Sequence, residues 1–219
     1  MPPLFRRSHT EQERATDGDV SRQRRGGNPY IGDARTRQAR AQGFPARSVF
    51  KLEEIDHRTK LLKPGQCVVD LGAAPGSWSL YASGRVGERG RVFAVDLQRI
   101  DQRFGPNVTV LEGDALALDD AVFREQGPFD VVLSDMAPAT SGARDLDQAR
   151  SHELFMRALD VALRFGQAGS SFVAKLFMGP DFQVARQAVA RQYAETRVLR
   201  PSGTRQRSFE VYVAGLKRN

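Results

Sequence analysis

The sequence predicts an α/β protein built on a mostly parallel, doubly wound sheet, and three observations lead there. Short apolar runs bounded by Gly, Pro and Asp alternate with amphipathic stretches along most of the 219 residues. Strands buried on both faces by crossover helices have this texture. The first run empties into the Gly-rich turn Gly72–Gly76 and then a helical pattern, and the next two runs close on acidic residues. Right-handed crossovers gather the C-terminal ends of such strands on one edge, where these sheets bind ligands.

Element by element, residues 1–40 read as a basic, flexible tail, because they are poor in apolar residues and show no sustained period. Residues 41–219 form the folded domain. Ser48 caps a helix through Val49, Phe50, Leu52, Glu53 and Ile55, and Lys63-Pro64-Gly65 breaks the chain after it. Strands are predicted at Cys67–Leu71, Val92–Asp96, Val108–Leu111, Phe129–Ser134 and Ser171–Leu176. A final pair follows at Thr196–Leu199 and Glu210–Leu216. Helical patterns fall at Ser77–Ser83, Leu116–Glu125, Arg150–Phe165 and Phe182–Tyr193, and the polar stretch Ala139–Arg150 reads as a loop. There are no internal repeats.

A net charge of +7 points to a polyanionic partner. Residues 1–50 carry ten arginines against five acids, which is most of that excess. A solvated leader would have the same charge without binding anything, so charge alone does not decide. The lone Cys67, inside an apolar run, reads as a buried inert thiol and rules out a disulfide framework. His9, His57 and His152 are too scattered to ligate a metal, so no metal is expected. No stretch approaches the ~18 consecutive apolar residues of a membrane span. The N-terminal residues lack the apolar core of a secretory signal, and a cytoplasmic protein is expected.

The strongest local signal is Val69-Asp70-Leu71-Gly72-Ala73-Ala74-Pro75-Gly76-Ser77-Trp78, a strand running through a glycine turn into a helix. Glycines there let a ligand approach the backbone closely. Three residues separate Gly72 from Gly76, so the G-x-G-x-x-G dinucleotide fingerprint is absent, as is G-x-x-x-x-G-K-[ST]. Asp96 ends the second strand, where a carboxylate can accept from a ribose diol. Asp114 follows the third and can accept from an adenine amino group. Each acid alone is an ordinary strand-end cap; together with the turn they describe a pocket for an adenosyl ligand.

From about Arg47 to Gly215 the chain resembles the FtsJ/RrmJ family of ribosomal RNA 2′-O-ribose methyltransferases. The resemblance rests on Ser48-Val49-Phe50-Lys51-Leu52, the Asp70–Trp78 turn and Ser134-Asp135-Met136-Ala137-Pro138. It continues through Phe172-Val173-Ala174-Lys175-Leu176-Phe177 and Arg207-Ser208-Phe209-Glu210-Val211-Tyr212. It departs at Ser77, where related sequences carry glycine, and it does not cover the tail. The resemblance implies a Rossmann-like, seven-stranded S-adenosylmethionine-dependent methyltransferase fold whose last strand is antiparallel. It implies a catalytic tetrad of Lys51, Asp135, Lys175 and Glu210. It implies S-adenosylmethionine contacts from Gly72, Gly76, Ser77, Trp78, Asp96, Asp114 and Asp135. It further implies methylation of a uridine ribose in large-subunit ribosomal RNA, on the assembled subunit, by a monomer.

The tetrad suits that reaction chemically. A ribose 2′-hydroxyl holds its proton well above neutral pH, so attack on a sulfonium methyl needs alignment and relief of that proton. Lys175 can act as proton acceptor or as a fixed cation that stabilises the alkoxide. As acceptor it must give up a proton that lysine ordinarily keeps to about pH 10. Lys51 and the sulfonium favour that loss, whereas Asp135 and Glu210 oppose it. Only five of the 33 basic residues are lysines, yet two occupy tetrad positions. Arginine, which does not usefully deprotonate, would not serve as acceptor. Arg205, Arg207 and the tail arginines are candidates for phosphate contacts. Three other readings compete: 2′-O-methylation of tRNA or another RNA, a non-catalytic RNA-binding or ribosome assembly factor, and a nicotinamide oxidoreductase. The complete tetrad speaks against the second, and the absent dinucleotide fingerprint against the third.

Overall fold

The computed structural model describes residues 34–202, 204 and 208–219. Seven strands form one sheet: β1 (Cys67–Leu71), β2 (Arg91–Asp96), β3 (Val108–Glu112), β4 (Phe129–Ser134), β5 (Gly166–Phe177), β6 (Tyr193–Leu199) and β7 (Glu210–Arg218). Their order is β3-β2-β1-β4-β5-β7-β6. The first five strands run parallel, and β7 inserts antiparallel between β5 and β6. The last strand is thus the antiparallel one, as expected. The order reverses between β1 and β4, and this is where a doubly wound sheet opens a crevice above its strand ends.

Helices cover both faces, which is why the central strands lack polar alternation. On one face α4 (Asp120–Gln126), α5 (Arg144–Phe165) and α6 (Phe182–Ala190) bury Phe123, Phe155, Leu159 and Val189 against Val69, Leu71, Val132 and Phe172. On the other, α2 (Val49–Thr59) and α3 (Ser77–Val86) bury Leu52, Ile55, Trp78 and Val86 against Val68, Val131, Val173 and Tyr212. Cys67 is buried, and burial pushes its thiol pKa up, in keeping with an inert core residue.

Several boundaries differ from the sequence reading for physical reasons. Part of the expected tail is helical: α1 (Ala34–Ala41) buries Ala39 completely. Alanine, arginine and glutamine are strong helix formers, so this segment needed little apolar content to be ordered. Residues 1–33 lie outside the described residues. Helix α5 begins at Arg144, so half of the expected loop is helix. Asp145 and Asp147 occupy its first turn, where the helix dipole favours acids. The Asp147 carboxylate accepts from Ser141 N–H, Ser141 Oγ and Gly142 N–H, which tethers the preceding chain. Those bonds, the Ser141 backbone one first, hold its pKa below the usual carboxylate value. Helix α4 starts at Asp120 instead of Leu116, because Asp119 caps it by accepting from Ala121 N–H. Strand β5 is longer than expected, with an irregular start where the register shifts between Phe129 and Val131. Ser48 stands at the N-cap of α2 but makes no side-chain capping bond.

Candidate active site

The β1–β4 reversal opens a cleft of about 310 Å³ above the strand ends. Gly72, Ala74, Asp96, Leu97, Gln98, Asp114, Leu116, Asp135 and Met136 are among its walls. Gly72 has φ +77°, and a Cβ on it would lie 2.7–2.8 Å from Met136, so only glycine closes this turn. Asp96 fixes the mouth. Its Oδ2 accepts from Ala74 N–H at 2.8 Å and its Oδ1 from Gln98 N–H at 2.7 Å. Asp114 Oδ1 accepts from Leu116 N–H at 2.9 Å. Leu97 and Leu116 are 68% and 41% exposed at the rim, although both are large and apolar. Exposed leucines beside fixed carboxylates suit a ligand with a flat apolar ring and polar edges.

Not every residue expected at this cleft is there. Gly76, at φ +104°, is the N-cap of α3, and a Cβ on it would meet Phe104, Gln102 and Ile100 at 2.9–3.2 Å. The Ser77 and Trp78 side chains are buried and do not line the cleft. Ser77 Oγ accepts from Ala46 N–H at 2.8 Å and bonds Ala46 O at 3.1 Å. Trp78 Nε1 donates to Ser48 O at 2.9 Å, and its ring packs 5.7 Å from that of Tyr212. Both side chains fasten the entry of α2 to the glycine turn, and α2 carries Lys51. The departure from glycine at Ser77 thus supplies a hydroxyl with a structural task.

Beside the cleft the four expected tetrad residues converge. Lys175 Nζ donates to Asp135 Oδ1 at 2.8 Å and also to the Asp135 carbonyl. Lys51 Nζ donates to Glu210 Oε1 at 2.6 Å. The two ion pairs are joined by a residue that the sequence reading did not single out. Tyr212 Oη lies 2.8 Å from Asp135 Oδ1 and 3.1 Å from Glu210 Oε1, and its single proton serves one carboxylate at a time. Burial, followed by repulsion from Asp135 and Glu210, raises the Tyr212 pKa well above its ordinary value. The result is a continuous chain Lys51–Glu210–Tyr212–Asp135–Lys175, with a lysine at each end and a carboxylate on either side of the central tyrosine.

Topology explains the convergence. Lys175 pairs with Tyr212 across β5 and β7, and Phe177 with Glu210. Side chains two apart on a strand share a face, so Glu210 and Tyr212 point the same way. That period of two was the signal available for Tyr212. Leu97 and Leu116 offered no comparable signal: Leu116 reads as the first apolar residue of a helix, and a lone leucine after Asp96 reads as ordinary loop. Arg205 and Arg207 lie outside the described residues. Among the described residues no cluster of His, Cys, Asp and Glu could hold a metal, and no helix is long and apolar enough to cross a membrane.

The sequence profile described as FtsJ-like methyltransferase matches residues 44–218, which span the glycine turn, the cleft and the five-residue chain. The chain belongs to the FtsJ-like methyltransferase family. It is an S-adenosylmethionine-dependent methyltransferase by that membership. Among its relatives is the ribosomal RNA large subunit methyltransferase E of Sorangium cellulosum, 57% identical over 87% of this chain and 91% of that protein. The protein of the same name from Bdellovibrio bacteriovorus is 48% identical over 83% of this chain and 94% of its own length. Two solved structures share the fold. A Plasmodium falciparum protein assigned as a ribosomal RNA methyltransferase superposes with a TM-score of 0.70 at 21% identity, covering 79% of this chain and 97% of that one. Aeropyrum pernix fibrillarin, solved with S-adenosylmethionine, superposes with a TM-score of 0.54 at 15% identity, covering 77% and 76%.

Proposed function

We propose that this FtsJ-like methyltransferase moves a methyl group from S-adenosylmethionine to the 2′-hydroxyl of a uridine in large-subunit ribosomal RNA, acting on the assembled subunit. The observation that carries the reading is the Lys51–Glu210–Tyr212–Asp135–Lys175 chain set against the cleft. The names of the Sorangium and Bdellovibrio relatives support the choice of ribosomal RNA over tRNA. The protein acts as a cytoplasmic monomer, and the arginine-rich residues 1–40 add phosphate contacts.

The cleft fits the methyl donor by its donor set. Asp96 would hold the ribose diol and Asp114 the adenine amino group, with Leu97 and Leu116 against the ring. Each carboxylate keeps acceptor capacity beyond the bonds it already makes. When bound, S-adenosylmethionine supplies a methyl group carried on a positively charged sulfur. Asp135 faces both the cleft and the tetrad, so donor and acceptor meet beside it. Lys175 Nζ spends two of its three hydrogen-bond positions on Asp135 and aims the third at the 2′-hydroxyl. As the 2′-oxygen bonds the methyl carbon and the carbon–sulfur bond breaks, the hydroxyl proton passes either to Lys175 as a neutral amine or to water. In the second case Lys175, 2.8 Å from the Asp135 carboxylate, serves as the cation beside the alkoxide. Lys51 and Glu210 brace the acceptor from the far side, and Tyr212 locks the two pairs together.

The deciding test is transfer of labelled methyl to large subunits lacking the modification, to free ribosomal RNA and to tRNA, with mapping of the product. Label on a subunit uridine as 2′-O-methyl is expected; label only on tRNA, or on a base atom, would overturn the reading. Tyr212→Phe removes one hydrogen bond to a charged group, an interaction of about 1.5–3 kcal/mol. It is expected to lower kcat about tenfold or more while leaving the dissociation constant for S-adenosylmethionine within a factor of two. An equal rise in that dissociation constant would place Tyr212 in donor binding instead.

A further inference from the structure

A second cleft, of about 280 Å³, adjoins the tetrad and is not accounted for by donor binding. Its walls include Thr140, Arg144, Gln148, Phe177, Ser208 and Phe209. Phe177 is two residues beyond Lys175 on β5, about 7 Å along the strand. Phe209 immediately precedes Glu210. Its ring is 49% exposed, a large apolar face shown to solvent in a polar segment. The Arg144 guanidinium stacks over that ring at 3.9 Å. Arg144 is the first residue of α5, where the helix dipole disfavours a cation, and it has no ion-pair partner among the described residues. Helix stability therefore does not account for its presence.

The surrounding backbone is braced. Phe209 O accepts from Met178 N–H at 2.8 Å, Gln148 Nε2 donates to Met178 O, and Ser151 Oγ accepts from Phe177 N–H at 2.9 Å. The stacked pair thus stands on a fixed frame. We propose that the Arg144–Phe209 pair is a stacking platform for one unpaired nucleobase of the acceptor RNA, that of the methylated nucleotide. The base is bonded to C1′, the carbon next to the one bearing the reacting hydroxyl. A ribose held at Lys175 must therefore put its base a few ångströms away, and Phe177 and Phe209, which line this cleft, are respectively two residues past Lys175 and next to Glu210 on the paired strands. Unstacked RNA bases are held on aromatic rings and guanidinium planes, and Thr140 and Ser208 offer hydroxyls to a base edge. The unpaired positive charge matches the flanking phosphates.

This rests on the proposed function, so two measurements separate them. Binding of a fluorescently labelled single-stranded uridine oligoribonucleotide is followed by anisotropy, and methyl transfer is followed on unmodified large subunits. Phe209→Ala and Phe209→Leu are each expected to weaken oligonucleotide binding and raise KM for the subunit about tenfold or more, with the S-adenosylmethionine dissociation constant unchanged. Phe209→Trp restores both, because it returns a π face. Wild-type affinity in Phe209→Leu would show that bulk suffices and would overturn the platform. So would a wild-type protein that does not bind the oligonucleotide. Variants that lose only subunit methylation, with unaltered oligonucleotide binding, would also overturn it and assign the cleft to a ribosomal protein segment. Normal oligonucleotide results with no methyl transfer by wild type would instead sink the proposed function and leave the platform standing.

Discussion

Replacing Lys175 with alanine is expected to lower kcat for methyl transfer about 10³-fold, with affinity for S-adenosylmethionine changed less than about threefold. A positioned charge or proton acceptor at a reacting hydroxyl contributes on the order of 10²- to 10⁴-fold. Lys175 is the cation bonded to Asp135, and its side chain is 7% exposed, so bulk water does not replace it well. Its loss also leaves the Asp135 carboxylate with Tyr212 as its remaining hydrogen-bond partner among the described residues. Donor affinity holds because Asp96, Asp114, Leu97 and Leu116 are untouched. Single-turnover rates on unmodified subunits, with donor affinity measured by calorimetry, check both parts. Lys175→Arg separates the two roles of the amine, since guanidinium keeps its charge and does not usefully deprotonate. Partial activity in that variant, flat across pH 6–9, marks a fixed cation. Activity as low as alanine's, together with a wild-type rate that climbs with pH, marks a proton acceptor. Wild-type kcat in Lys175→Ala would remove Lys175 from the reaction.

The parts legible in the sequence were those whose signal is local. Buried parallel strands announce themselves as apolar runs, so the central strands fell where expected, and β1 and β4 matched residue for residue. The tetrad positions came from the family resemblance, carried by short recognisable segments, and two of the chain's five lysines fall on them. Residues whose role is set by tertiary contact were less readable. Trp78 sits in a motif that touches the ligand loop, but its ring is spent on Tyr212 and its N–H on Ser48. Nothing in the sequence says which way a side chain at the first turn of α3 faces. Leu116 reads as helix because its apolar period is right, yet the Asp119 cap starts the helix four residues later and frees it for the cleft rim. Arg144 and Phe209 are 65 positions apart in the chain, and only the fold, which brings the start of α5 to the residue before β7, stacks them. Helix α1 was missed for the opposite reason: propensity outweighed its sparse apolar content.

The fold is also expected to lose stability as pH rises from about 4 to 7, and Asp70→Asn should remove most of that slope. Asp70 is fully buried on β1, two residues before Gly72 of the turn. Its Oδ2 accepts from Ser79 Oγ at 2.6 Å, while Oδ1 has no hydrogen-bond partner among the described residues. Burial raises its pKa from 3.8 to about 7; the Ser79 bond works against the rise, and Asp135 and Asp96 add to it. A carboxyl with a raised folded-state pKa binds more protons folded than unfolded. Its contribution is therefore fully present below pH 3.8 and is lost as pH climbs through about 7. The loss is on the order of 4 kcal/mol, comparable with much of a small domain's total stability. Asparagine cannot ionise, so the variant should unfold in urea with a nearly pH-independent midpoint over that window and equal or exceed wild type at pH 8. A wild-type midpoint that is flat or rises from pH 4 to 7, relative to the variant, would show that Asp70 keeps its charge in the fold. The position then bears on function, because an ionised Asp70 would add a third negative group behind Asp96 and Asp135, close to where the donor's positive sulfur must sit. Binding that cation favours ionised Asp70, so donor affinity in wild type should strengthen with pH across the same window, and in Asp70→Asn it should not.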